Sequence, residues 1–112
     1  MENVKKREDL KTHSQNNKNV VCYFTADWCG PCRQLKPFVT KLAEQNKQVK
    51  FLQVDADQIQ DWDLGITVIP QIHIISNGET KHKLIAPERT EMKEPFAEIG
   101  VNMFTDAESE QM

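Results

Sequence analysis

The stretch Val20-Val21-Cys22-Tyr23-Phe24, followed by Trp28-Cys29-Gly30-Pro31-Cys32, decides the architecture. Its first five residues form an unbroken apolar run with Val, Tyr and Phe. Such a run reads as a strand covered on both faces, as at the centre of a parallel or mixed sheet. Downstream, Leu35, Phe38, Val39 and Leu42 recur at i, i+3, i+4 and i+7 and predict a helix over Gly30–Gln45 that buries one side. Pro31 suits its first turn, whereas Pro37 lies inside and removes one N–H, so a kink is expected there. A strand feeding a helix in this way delivers the Cys29 sulfur to a helix N-terminus, where unpaired N–H groups and the macrodipole favour a thiolate. Cys32, one turn further on, is close enough to close a small disulfide ring. The pair is a candidate redox site.

Working outward, Val49-Lys50-Phe51-Leu52-Gln53-Val54 alternates as a second strand. A crossover of this length between strands is most simply a right-handed parallel unit. A short helical stretch with Ile59, Trp62 and Leu64, the tryptophan packing helix to sheet, is expected next, stopped by Gly65. Ile72-His73-Ile74-Ile75 and Lys83-Leu84-Ile85-Ala86 flank Ser76-Asn77-Gly78-Glu79, and Asn-Gly is a strong hairpin signal, so these strands should pair antiparallel. Thr90 as cap, with Met92, Phe96, Ile99 and Met103 at helical spacing, predicts a last helix that starts after Thr90 or, if Pro95 delays it, at Glu94. Residues 1–19 are polar and hold at most an edge strand near Val4 and a weak helix over Arg7 to His13, and 105–112 form an acidic tail. The order β-α-β-α-β-β-α offers helices to both sheet faces, giving an α/β class, three-layer α/β/α sandwich with a central mixed sheet of four to five strands.

At 112 residues the chain suits one domain, which by size should bury roughly two thirds of the surface its unfolded form exposes. A net charge of −3 with scattered Lys and Arg argues against a nucleic-acid partner. No apolar segment follows the charged residues Lys5, Lys6 and Arg7, so neither a leader nor a membrane anchor is expected, and a cytoplasmic location follows as an expectation. In a reducing compartment a cycling disulfide is favoured over a structural one, and three cysteines fit a working pair plus a bystander.

The chain resembles the thioredoxin family over roughly Val20 to Met103. The resemblance is carried by WCGPC after a buried strand, Pro37 five residues past the second cysteine, Val54-Asp55, Gly65-Ile66 leading to Ile69-Pro70, and the Asn77-Gly78 turn. It implies the thioredoxin fold, with a cis bond at Ile69-Pro70, and a protein disulfide reductase. Cys29 would attack a client disulfide and Cys32 would resolve the mixed disulfide. No cofactor would be bound and no metal held, and electrons would come from NADPH through a separate thioredoxin reductase. Trp28, Gly30 and Pro31 would form the active-site loop. Trp28 would dock polypeptide together with Ile66, Ile69 and Pro70, the Ile69 backbone pairing with an extended client segment. The partners implied are the reductase and disulfide-containing clients, with the chain itself a monomer.

Departures from the family pattern are as informative. The usual buried aspartate six residues before the first cysteine is Tyr23 here, and its usual lysine partner falls near Phe51. Cys32 must then lose its proton through water, the Tyr23 hydroxyl or Asp27, so slower resolution is expected. Gln71 replaces the usual threonine after the proline, and Ile85 occupies the neighbourhood of a usual glycine.

The competing readings are half of a zinc site, inert thiols, an oxidase or isomerase of a secretory lumen, and an interaction module that no longer turns over. Zinc needs two further ligands, and His13, His73, His82 and Cys22 stand singly with no second paired motif. The lumenal reading is disfavoured by Gly-Pro between the cysteines, where the family's oxidants commonly carry His. Cys22 reads as a small core residue, His73 as a satisfied or rim histidine, and His13 and His82 as plain surface residues.

Overall fold

The computed structural model describes residues 1–59 and 64–103. Strand β1 spans Glu2–Val4, helix α1 Arg7–Asn16, β2 Asn19–Thr25, α2 Gly30–Gln45, β3 Lys50–Asp55, β4 Gln71–Ser76, β5 Glu79–Ile85 and α3 Arg89–Glu98. The apolar run at Val20 is the centre of the molecule. In the sheet order β1-β3-β2-β4-β5, β2 lies parallel to β3 and antiparallel to β4. Alternation along β2 sends Val20, Cys22 and Phe24 to one face, where Val4, Leu52, Val54, Ile59 and Ile75 join them and Leu10 of α1 packs on top. Val21 and Tyr23 go to the other face, against Val39 and Leu42 of α2 and Met92 and Phe96 of α3. Helices therefore cover both faces, and the expected three layers form around a mixed sheet of five strands.

The N-terminal segment forms both β1, paired in parallel with β3, and a helix that continues through Asn16, one turn beyond His13. Glu2 ties it down: its carboxylate oxygens accept from His13 of α1 and from Lys50 of β3, each at 2.7 Å. His82 likewise links β5 to Glu98 of α3 at 2.9 Å. Neither histidine is the plain surface residue its sequence context suggested, because each joins a helix to the sheet.

The Asn77-Gly78 hairpin forms as expected, with φ values of 53° and 81° that suit a two-residue turn between twisted strands. Helix α2 spans the expected residues and continues as one helix through Pro37. The last helix differs from expectation. It starts at Arg89 rather than after Thr90 or at Glu94, because the Glu91 carboxylate accepts the Glu88 N–H at 3.0 Å and closes the first turn ahead of Thr90. Pro95 is accommodated inside, buried against the core. The helix stops at Glu98, where Gly100 at φ 77° lets the Val101 N–H return to the Phe96 carbonyl at 2.9 Å. Met103 is buried in the same cluster as Met92 and Phe96, but it reaches it from the chain beyond the helix. The helical stretch expected near Ile59 is, among the described residues, one 3-10 turn over Ala56–Gln58. Trp62 lies outside the described residues.

Candidate active site

Strand β2 ends at Thr25, and the chain turns through Ala26-Asp27-Trp28-Cys29, closed by the Cys29 N–H on the Ala26 carbonyl at 3.2 Å. Cys29 is the cap of α2. Its carbonyl accepts the Arg33 N–H at 3.1 Å and its Sγ accepts the Cys32 N–H at 3.2 Å. The sulfur thus occupies the place a serine or aspartate oxygen takes at a helix start, where a negative charge is stabilised by the unpaired donors of the first turn. Cys29 and Cys32 are joined as a disulfide with Cα atoms 5.2 Å apart. Cys32 is wholly enclosed, whereas Cys29 keeps 5% of its surface open at the edge of the loop. That asymmetry makes Cys29 the sulfur that a partner can reach.

Trp28 is 67% exposed, and its orientation is fixed because its Nε1–H donates to Asp57 Oδ2 at 2.8 Å. Asp57 is itself held in the 3-10 turn, where its N–H donates to Asp55 Oδ1 at 2.9 Å. An exposed indole with a tethered edge presents a broad apolar face at little entropic cost. Gly30 is half-exposed with nothing crowding its α-carbon, and Pro31 is exposed.

The opposite rim comes from Gly65 to Pro70. Ile69-Pro70 is a cis peptide bond, and Ile69 packs against Ala26, Cys29 and Cys32. Pro70 lines an open hollow with Pro31, Leu35, Ala86 and Pro87. Its carbonyl accepts the Ala86 N–H at 2.8 Å, so Ala86, at φ 43°, meets the rim backbone rather than Ile85, which ends β5. Ile66 is placed differently: it packs half-buried into the cluster on the α1 face of the sheet. Val68, 49% exposed, is the rim's large open apolar side chain.

Beneath the disulfide, Tyr23 is wholly buried and its hydroxyl donates to the Cys32 carbonyl at 2.6 Å. Burial pushes the phenol's pKa up, with a hydrogen bond from the Thr25 side chain acting the other way. The hydroxyl is therefore a protonated donor to the backbone of Cys32, and it does not act as a base toward its thiol. Phe51 lies in the same apolar cluster as Tyr23. Asp27, the other acid in the loop, is exposed to solvent. Cys22 is sealed in the core, and burial raises its thiol pKa far above the usual range.

Sequence reasoning missed three contacts here: Tyr23 to the Cys32 carbonyl, Trp28 to Asp57, and a buried pair formed by Gln71 and His73. The first two had a faint signal, a hydroxyl inside an apolar strand and an Asp-x-Asp at a strand end. The third had none beyond two polar residues alternating with isoleucines. Among the described residues no group of three or more His, Cys, Asp or Glu side chains is arranged to hold a metal ion.

The thioredoxin family model matches residues 3–98. A TPR repeat-containing thioredoxin of Oryza sativa subsp. japonica is 33% identical over 93 residues, 81% of this chain, which spans 29% of that protein's length. Thioredoxin H1 of Arabidopsis thaliana is 33% identical over 94 residues, 80% of this chain and 81% of that one. The solved structure of oxidised thioredoxin O1 from Arabidopsis thaliana superposes with a TM-score of 0.76 at 30% identity, covering 87% of this chain and 95% of that one. The family model spans most of a chain that carries a cysteine pair at the cap of the helix after its central strand, the relatives agree with it over four fifths of the sequence, and the chain belongs to the thioredoxin family.

Proposed function

We propose that this protein is a thiol-disulfide oxidoreductase that reduces disulfides in other proteins. The observation that carries the reading is the Cys29 sulfur, seated as the cap of α2 within 3.2 Å of the Cys32 N–H and bonded to Cys32. In the reduced state the Cys29 thiolate attacks one sulfur of a client disulfide, and the client's other sulfur leaves as a thiolate that takes a proton from solvent. Cys32 then gives up its proton and attacks the Cys29 sulfur, and the second client thiol leaves. The client gains two electrons and two protons, and the protein ends as the disulfide found here. Sulfur-to-sulfur transfer requires no cofactor in this chain. A separate NADPH-dependent flavoprotein, thioredoxin reductase, would restore the dithiol.

Trp28, Ile69 and Pro70 would frame the docking edge, with Val68 beside them and Gly30 and Pro31 shaping the loop between the sulfurs. Ile66 would support this edge from below. The reading further places the protein as a monomer working in the reducing cytoplasm. No helix among the described residues is long and apolar enough to cross a membrane.

Reduction of insulin by dithiothreitol, followed by turbidity, tests the proposal. Catalysis by the wild type that disappears in Cys29→Ser is the expected result. A wild-type protein that adds nothing to dithiothreitol alone overturns it in favour of an interaction module that no longer turns over.

A further inference from the structure

Gln71 and His73 follow the rim on β4, and both are buried polar residues. Strand alternation directs Gln71, His73 and Ile75 to the face that carries Cys22 and Phe24, while Ile72 and Ile74 face α2 and α3. An apolar side chain at either position would bring no polar group that needs a partner. Instead, Gln71 Nε2 donates to the Val68 carbonyl at 2.9 Å and Gln71 Oε1 lies 2.9 Å from His73 Nε2.

Hydrogen-bond bookkeeping fixes the direction of this chain of contacts. The Gln71 amide spends an N–H on Val68, so its oxygen is the acceptor toward His73, and the imidazole must carry its proton on Nε2. Burial, with Lys83 opposite on β5, lowers the His73 pKa to about 4, so the ring is neutral at pH 7. The ring also packs on Phe24, whose ring centroid is 4.6 Å away at a tilt of 58°. A neutral ring seated on β4 thus orients the glutamine, and the glutamine grips the carbonyl two residues before Pro70.

That carbonyl belongs to the segment Gly65 to Ile69, which forms neither helix nor strand. Its outer side carries the exposed Val68, and its end packs Ile69 against the disulfide. A client strand pairs with this edge most tightly when the backbone is already presented at the correct height and tilt; otherwise the client must order it on binding.

We propose that Gln71 and His73 are positioning residues that preset the Val68-Ile69 backbone for docking an extended client polypeptide. They thereby separate polypeptide disulfides from small ones in this protein's reactivity. The proposal rests on the thiol-disulfide reading given above. A small disulfide needs only the Cys29 sulfur, whereas a polypeptide disulfide needs the sulfur and the preset edge together.

The test uses the pre-reduced full chain in single turnover against insulin and against a small aromatic disulfide. Gln71→Glu, when ionised, retains an acceptor for His73 and has no proton for the Val68 carbonyl; Gln71→Leu removes both contacts in either state. Val20→Ala, at the opposite end of β2, controls for lost stability. The expected result is a rise of about tenfold in the half-saturating insulin concentration for both Gln71 variants, with the limiting rate falling less than threefold. The rate with the small disulfide should track that of Val20→Ala. An insulin half-saturation within twofold of Val20→Ala, or an equal loss with both substrates, overturns the positioning role. A wild-type chain that reduces the small disulfide but shows no saturation with insulin also overturns it while leaving the thiol chemistry intact. A wild type inert to both removes the underlying reading and the proposal with it. Should Gln71→Leu fail to fold, Gln71→Glu carries the same comparison.

Discussion

Tyr23→Phe removes a single oxygen from beneath the redox pair, and the structure specifies what that oxygen does. The hydroxyl donates to the Cys32 carbonyl at 2.6 Å inside a fully buried cluster, with Thr25 hydrogen-bonded to it. After the change the carbonyl keeps its helical partner four residues on, while Thr25 loses its acceptor. The net loss is one buried hydrogen bond plus a partly unsatisfied hydroxyl, together about 1–2 kcal/mol. For a domain of this size that corresponds to a fall of roughly 5–10 °C in the Tm of the oxidised protein, followed by circular dichroism. The kinetic consequence is equally specific. Because the phenol is a protonated donor, Tyr23→Phe should leave the shape of the pH profile for mixed-disulfide resolution unchanged, measured by rapid mixing with a fluorescent client. Tyr23→Asp instead places a carboxylate beneath Cys32 and should speed resolution at neutral pH by about tenfold or more, through general base assistance. Loss of an ionisation from the Tyr23→Phe profile, or a stability change below about 0.5 kcal/mol, would refute the assignment of this hydroxyl as a donor that holds the Cys32 backbone.

Two further outcomes follow from named contacts. His73 has a folded pKa of about 4 against an ordinary value near 6.5, so between those values the unfolded chain binds the extra proton and stability falls as pH drops from about 6.5 toward 4. The loss attributable to His73 should reach about 2–3 kcal/mol, and urea unfolding across that range should show it in wild type and not in His73→Gln; equal slopes for the two proteins would contradict it. Asp57→Ala releases the Trp28 edge; since both groups are exposed, stability should change by less than about 0.5 kcal/mol while the half-saturating concentration of insulin rises about threefold. An unchanged half-saturation would show that the tether does not matter for docking.

The frame was legible because its signals are local. Val20 to Phe24 reads as a central strand from five consecutive residues, Asn77-Gly78 fixes a hairpin by its backbone preferences, and Leu35, Phe38, Val39 and Leu42 mark one side of a helix. Errors arose where two local rules competed. Thr90 is a better cap by residue type than Glu88, but the Glu91 carboxylate closes the turn earlier, and Met103 keeps the helical period while lying beyond a glycine that ends the helix. The cysteine pair itself was visible from spacing. Its supports were not, because Trp28 and Asp57 are 29 residues apart and Tyr23 and Cys32 nine. Gln71 and His73 show a further limit: alternation assigns them to a face, but nothing local tells which buried polar group on that face will answer them.

Cys22 gives the molecule an internal gauge. With its sulfur locked between the sheet and its neighbours on the α1 face, it has no route to a labelling reagent while the sheet is intact, whereas Cys29 lies at the edge of the loop. Thiol counting on the reduced chain therefore separates two events that are usually confounded. Modification of Cys29 reports the chemistry at the edge of the loop, and modification of Cys22 reports that the whole domain has opened.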